Sequence, residues 1–280
     1  MGAGCARLHH TGSGSGTPPG SGSPSPAAND LVLRMETAGG FVIPSYRYGA
    51  VPEFSLFGDG QVVEPGLHTE IFPPPALVEP VTMQVDEVGI QAILDAAREA
   101  GLFGPDAHYT ILTVADAGTT TFTLVSDGQR HIISVYGLGI DNTSPQMTDD
   151  ERVVREKLAA FQQKLMDLQS WLPNGSVSDS GEYQPTGVEV YVQDGAPSQQ
   201  SPNEPVVEWP LATPLSNFGD PLQDDNGWRC GTVTGDDFTT LKAAVDRATS
   251  ISPWTSEGSG FSLTFRPLLP DETHCPNALG

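Results

Sequence analysis

Residues 81–101 read VTMQVDEVGIQAILDAAREAG, and residues 119–136 read TTTFTLVSDGQRHIISVY. In the first stretch Val81–Val85 is a strand. Asp86 then stands where a helix needs an N-cap, because its carboxylate can accept a backbone N–H that the first turn leaves unpaired. Ile90, Ile93, Leu94 and Ala97 recur on one side of a helix that runs through Ala100, and Gly101 stops it. In the second stretch Thr119–Val125 and Arg130–Tyr136 are strands around the turn Ser126-Asp127-Gly128-Gln129. Phe122 and Leu124 alternate with threonines, which predicts one buried and one wet face. Strand, capped helix and hairpin in succession predict an α+β fold, with antiparallel sheets and packed helices.

Working outward, LVLRME (31–36) reads as a strand and FVIPSYRYG (41–49) as a broken extended piece, since Pro44 cannot sit in a central strand. Phe54–Phe57 and Gln61–Val63 are strands joined by Gly58-Asp59-Gly60. Pro73-Pro74-Pro75 is a rigid loop. Residues 148–172 form the strongest helix: Thr148 and Glu151 make a capping-box pattern. Val154, Leu158, Phe161, Leu165, Leu168 and Leu172 supply one apolar stripe, and Pro173 ends it. The polar opposite face predicts a surface helix packing on its own domain, with a self-associating coiled coil as the alternative. Farther on, Val188–Val192, Trp228–Val233 and Phe261–Phe265 are strands. A helix starts at Asp236-Asp237, with Phe238, Leu241, Val245 and Ala248 on its apolar side.

The layout VTMQVDEVGIQAILDAAREAGLFG is echoed by GTVTGDDFTTLKAAVDRATSISPW. The echo suggests two β-helix-β halves joined by the long amphipathic helix, with chance similarity of two ordinary units as the alternative. The expected division is an N-terminal tether at 1–29, one α+β unit at 30–145, the connecting helix at 146–173 and a second α+β unit at 174–280.

The chain has 280 residues, 13 basic against 35 acidic side chains and a formal charge of −22. That excess argues against nucleic acid as a partner, because phosphate binding needs a basic face. It also excludes charge-driven adhesion to an anionic membrane. No apolar run approaches the roughly 18 residues of a membrane-spanning helix.

Residues 11–28 read TGSGSGTPPGSGSPSPAA, a composition that cannot bury apolar area and predicts a disordered tether. It follows MGAGC, and this small-small-Cys start with a Gly/Ser/Pro tether resembles a bacterial lipoprotein. The resemblance implies lipidation of Cys5 and anchorage of the folded part to the outer face of the cell membrane. Gly2 stands where that family prefers an aliphatic residue, and the expectation is an upstream start or a trimmed chain. A plain disordered tail with an incidental cysteine is the other reading. From Cys5 to Asp30 is 25 residues, a flexible span of roughly 25–30 Å root-mean-square. If Cys5 carries lipid, Cys230 and Cys275 form an even pair, expected as a disulfide in an oxidising compartment. Two buried free thiols are the alternative.

Chemistry-bearing motifs are few. The six histidines include no HExxH, and there is no GxSxG, SxxK or CxxC. His131 is expected as a hydrogen-bonded core or edge residue. Asp220, Asp224 and Asp225 concentrate oxygens in one turn without the spacing of an EF-hand loop, so calcium there competes with a solvated turn. Trp209, Trp228 and Trp254 are read as core, or else as an aromatic surface for a glycan or peptide. No cofactor is expected.

FSLFGDGQVV, the helix ending in GLFG, and ADAGTTTFTLVSDGQRHIISVYGLG together resemble an uncharacterised family of bacterial exported domains, over residues 31–140. WRCG and FRPLLPDETHC are similar to the C-terminal part of such proteins. The resemblance implies an exported α+β fold and no particular activity. The expected function is therefore a non-catalytic binding role at the cell envelope, with a protein or glycan partner. The alternatives are a secreted hydrolase with a site of scattered residues, and an inhibitor or chaperone-like module acting through strand edges.

Overall fold

A computed structural model describes residues 1–2, 26–66, 71–111, 114–140, 147–195, 204–223 and 227–276. The elements in chain order are β1 (Leu31–Gly39), α1 (Pro44–Gly49), β2 (Phe54–Phe57), β3 (Gln61–Glu64), β4 (Val81–Gln84), α2 (Glu87–Glu99), β5 (Ala107–Tyr109), β6 (Gly118–Ser126), β7 (Gln129–Tyr136) and α3 (Asp149–Met166). They continue with β8 (Gly181–Glu182), β9 (Gly187–Asp194), β10 (Val207–Glu208), β11 (Asp220–Pro221), β12 (Trp228–Thr234), α4 (Gly235–Val245), β13 (Trp254–Ser256) and β14 (Ser259–Pro267). The first sheet runs β5-β7-β6-β1-β2-β3-β4-β8, and the second β10-β13-β14-β9-β12-β11. All pairings are antiparallel except β5 with β7 and β10 with β13. The class is thus mixed α and β with mostly antiparallel sheets, as expected.

Local chemistry explains the elements that the sequence predicted. Asp86 caps α2 by accepting from Gly89 N at 2.8 Å, and Thr148 caps α3 by accepting from Glu151 N at 3.2 Å. Asp127 (φ 52°) and Gly128 (φ 71°) take the left-handed conformation that a two-residue hairpin loop between β6 and β7 requires. One face of the first sheet, with Met35, Phe54, Leu56, Phe122 and Leu124, packs on α2 and α3 through Ile93, Ala97, Leu158, Phe161 and Leu165. One face of the second, with Val188, Val190, Val192 and Phe265, packs on α4 through Leu241 and Val245.

The opposite faces of the two sheets both bear on the C-terminal segment around Leu269–Glu272, which forms a seam, and here the structure departs from several expectations. Phe57 and Val63 of the first sheet bury against Tyr183 and Leu269. Thr123, expected on a wet face, is 2% exposed. It pairs with Arg34, whose guanidinium reaches Asp271 of the C-terminal segment at 2.7 Å. Chain segments also cross between the two sheets. β8 pairs with β4 in the first sheet, whereas α1 packs on β14 of the second. Ala76 N donates to Ala248 O at 3.1 Å, tying the proline-rich loop to the second unit.

Residues 44–49, expected to be extended, form α1 instead. Pro44 occupies the first turn, where its fixed φ suits a helix and its missing N–H costs nothing. The long helix ends at Met166 rather than Leu172, and a 3₁₀ turn at Leu168–Ser170 carries the last of the stripe into the core. Arg155 of α3 is fully buried; its Nη2 donates to Tyr136 O (2.9 Å) and Gly137 O (2.8 Å). The helix stripe alone could not reveal that inward arginine. Of the expected tether, residues 3–25 lie outside the described residues. Its last part is held: Asp59 N donates to Ala28 O at 3.2 Å. A Cβ on Gly58 would fall 2.1 Å from Ala27 O, so the backbones touch there as only glycine allows.

Candidate functional site

The most perturbed titrating groups lie in the seam. Tyr191 hydroxyl donates to Glu189 Oε2 at 2.7 Å. Arg266 Nη1 donates to Glu189 Oε2 (3.1 Å) and Glu272 Oε2 (2.9 Å), Nη2 to Glu272 Oε1 (2.7 Å), and Nε to Ala50 O (3.0 Å). Burial holds the Glu189 carboxyl above its ordinary range, against the pull of Arg266 and the Tyr191 hydroxyl. For Glu272 burial would do the same, but Arg266, the Leu269 N–H and Arg34 outweigh it and the carboxyl is lowered. Tyr183 is pushed up to about 12 by burial, then by Glu272 and Asp271. Glu189 is 0% and Tyr191 3% exposed, so no substrate reaches them without the seam opening. The cluster clamps β9 and β14 of the second sheet to Ala50 and to the C-terminal segment at Glu272.

The expected site residues fall in separate places. Cys230 and Cys275 are joined in a disulfide with Cα atoms 6.0 Å apart, both buried. The three tryptophans do not form an exposed aromatic surface. Trp209 and Trp254 stand 6.3 Å apart in the core of the second unit, and Trp228 lies on the opposite face of that sheet beside Tyr48. Each is at least nine-tenths buried, because an indole in this chain's small cores fills volume that loops cannot. Asp220 is exposed and pairs with Cys230 across β11 and β12. Asp224, Asp225 and Cys5 lie outside the described residues. Among the described residues no three His, Cys, Asp or Glu side chains come together as metal ligands would. His131 Nδ1 is 2.9 Å from Gly104 O, a satisfied half-buried histidine, as expected.

A cleft of about 400 Å³ opens beside the point where the tether enters, lined among others by Asp59, Gln84, Asp86, Glu87, Ser176 and Ser178. Its polar groups are largely committed to the fold: Asp86 caps α2, Gln61 N donates to Asp59 Oδ1, and Ser178 Oγ accepts from Gln84 N. The outermost strands β5, β8, β10 and β11 are two or three residues long. Edges that short offer little template to a partner strand.

The surface feature that stands out is the loop between β1 and α1 together with the first turn of α1. Phe41 is 93% exposed, Ile43 68% and Tyr46 63%; Val42 and Pro44 are exposed with them. Gly39 (φ 83°) and Gly40 (φ 79°) turn the chain off β1 in a conformation that a side chain would resist. The base is rigid. Tyr48 stacks on Tyr191 with ring centroids 4.5 Å apart, and Trp228, Cys230 and Cys275 complete the same cluster. Arg266 holds Ala50 at the loop's far end. Exposed apolar residues grouped in this way make the kind of patch that on a monomer is often functional. Reading 41–49 as an extended piece missed the site. The available signal was three consecutive large apolar residues without alternation, set between a Gly-Gly pair and a proline.

Comparison with protein-family models, with curated proteins and with solved structures finds no match for this chain.

Proposed function

We propose that this chain is a lipid-anchored, extracytoplasmic protein with a non-catalytic binding role at the cell envelope, exercised through loop 40–46. The observation that carries this reading is a solvent-facing apolar tip on a braced base. Exposing such surface is unfavourable unless something covers it in use. The burial of Glu189 and Tyr191 favours binding over hydrolysis, since a perturbed acid–base pair serves catalysis only where a substrate can reach it. Membrane attachment through Cys5 rests on the resemblance of MGAGC and its tether to bacterial lipoproteins. The buried disulfide suits an oxidising compartment. The layout of two β-helix-β halves joined by α3 belongs to the same proposal. Its support is that β4 and β12 each run directly into a helix with acidic residues in its first turn.

Two measurements test the reading. With the native upstream sequence the chain should partition into detergent and Cys5→Ser should not; equal partitioning overturns the anchor. The full chain carrying Cys5→Ser should still co-sediment with envelope fractions. Adding Phe41→Ser and Ile43→Ser should weaken that binding at least about tenfold. Equal binding by the loop variant, or none by either, overturns the binding role.

A further inference from the structure

We infer that residues 269–274 are a strap that opens reversibly in acid while both sheets stay folded, a device independent of the proposed binding role. The strap joins the sheets through side chains. On the first sheet, Leu269 is buried against Phe57 and Val63, and Arg34 of β1 reaches Asp271 at 2.7 Å. On the second, Arg266 of β14 holds Glu272 through Nη1 and Nη2, at 2.9 and 2.7 Å. The backbone is last held at Leu268, whose N–H donates to Gly187 O at 3.0 Å. Beyond it, among the described residues, no backbone hydrogen bond ties the strap to a strand of either sheet. The strap belongs to neither the core under α2 and α3 nor the core under α4. A segment with no ladder and few buried apolar side chains opens at lower cost than a core. Cys275, bridged to Cys230, keeps the far end attached when the rest lifts.

The trigger is Glu272, on which two guanidinium groups converge. Its Oε1 is 2.7 Å from Arg266 Nη2 and 3.6 Å from Arg34 Nη1. The two arginine side chains are only 10% and 13% exposed. Protonating the carboxylate removes their shared counter-charge and leaves two cations facing each other, poorly hydrated until the strap lifts. Burial would raise Glu272, but Arg266, the Leu269 N–H and Arg34 hold it below the ordinary 4.5. The strap is therefore held above that value and released as pH falls through the lower, folded one. The neighbouring groups do not replace it. Glu189 on β9 shares Arg266, but burial holds it above the ordinary range, so it takes its proton before Glu272 does. Asp271 is exposed and pairs with Arg34. The Tyr191 hydroxyl is committed to Glu189 and the Tyr183 hydroxyl to Leu268 O. On α1, Tyr48 stacks on Tyr191 and accepts from Arg47. His274, exposed beside Thr273, adds positive charge to the strap in acid.

The test is nuclear magnetic resonance of the full, oxidised chain over a series from pH 7 to about pH 3. The Glu272 amide donates to Leu269 O at 3.0 Å. Its protection should fall at least about tenfold, after correction for the intrinsic exchange rate at each pH. Contacts of the Leu269 methyls with the Phe57 and Tyr183 rings should vanish with it and return at pH 7, while amides of β6, β9 and β14 stay protected throughout. Glu272→Gln should be open already at pH 7. Glu99→Gln, which removes an exposed carboxylate on α2, should open as the parent does. A strap that stays closed at the lowest pH, or that opens only as both sheets unfold, overturns the inference. A Glu272→Gln chain that closes at pH 7 like the parent also overturns it. So does one that fails to fold, because the strap would then be no separate unit.

Discussion

Arg266→Met removes a cation that touches both the buried Glu189 and the half-buried Glu272. Glu189 would keep only the Tyr191 hydroxyl, at a position with no solvent exposure. Glu272 would keep the Leu269 N–H and a longer contact to Arg34 at 3.6 Å. Ala50 would lose the Nε donor that pins the base of the apolar loop. Stranding one partner of a buried ion pair costs about 3–5 kcal/mol, a fifth or more of the roughly 5–15 kcal/mol that holds a typical domain folded. Arg266→Lys should recover only part of this, because a point charge cannot reproduce a fork that bonds two carboxylates and a carbonyl. Adding Glu189→Gln to Arg266→Met should restore stability relative to Arg266→Met alone, since the stranded charge is gone. The pH dependence has a definite sign. Glu272 is lowered in the folded chain, so its contribution is present above an unfolded value near 4.5 and lost as pH falls through the folded one. The gap between parent and Arg266→Met should therefore be widest at neutral pH and narrow in acid. Urea unfolding at pH 7 and pH 4 measures both. A loss under about 1 kcal/mol at pH 7, or a gap indifferent to pH, would refute the seam as a clamp that depends on this pair.

Replacing Cys230 and Cys275 together by alanine should cost about 4 kcal/mol in the chain-entropy estimate for a sequence separation of 45; peptide mapping without reductant should find the bridge in the parent. Leu158→Ala and Leu165→Ala, both at 0% exposure, should each cost about 2–4 kcal/mol, whereas the exposed Gln169→Ala should be nearly silent in the same melts. Burial raises Glu64 from an ordinary 4.5 to about 7. Because the folded chain then holds the proton more tightly, its stability should fall as pH rises from about 4.5 to 7. Glu64→Gln should flatten that slope and gain about 1–2 kcal/mol at pH 8, discounted for partial exposure; a slope equally steep in both chains would show that Glu64 is not its source.

What the sequence determined is local. Asp86 and Thr148 cap helices through their own side chains, and Asp127-Gly128 turns a hairpin through its own backbone, so each could be read where it stands. The alternation of Phe122 and Leu124 told which face of β6 meets the helices. The pair of cysteines beyond Cys5 could be matched by count alone, without knowledge of the path between them. What covers the other face of a sheet is a different kind of fact, because it depends on segments far away in the chain. Arg34, beside the buried Thr123, reaches Asp271, Arg266 donates to Ala50, and Tyr48 stacks on Tyr191; no sequence period spans such distances. For the same reason the tryptophans could be either core or surface until the second sheet closed around them. Arg155 could be taken for a solvated charge until β7 ended against it. The apolar loop is the reverse case. Phe41, Val42 and Ile43 have the composition of a core strand, and only the tertiary path decided otherwise. Two left-handed glycines turn the chain off the first sheet and α1 docks on the second, so the apolar residues between them are left facing solvent.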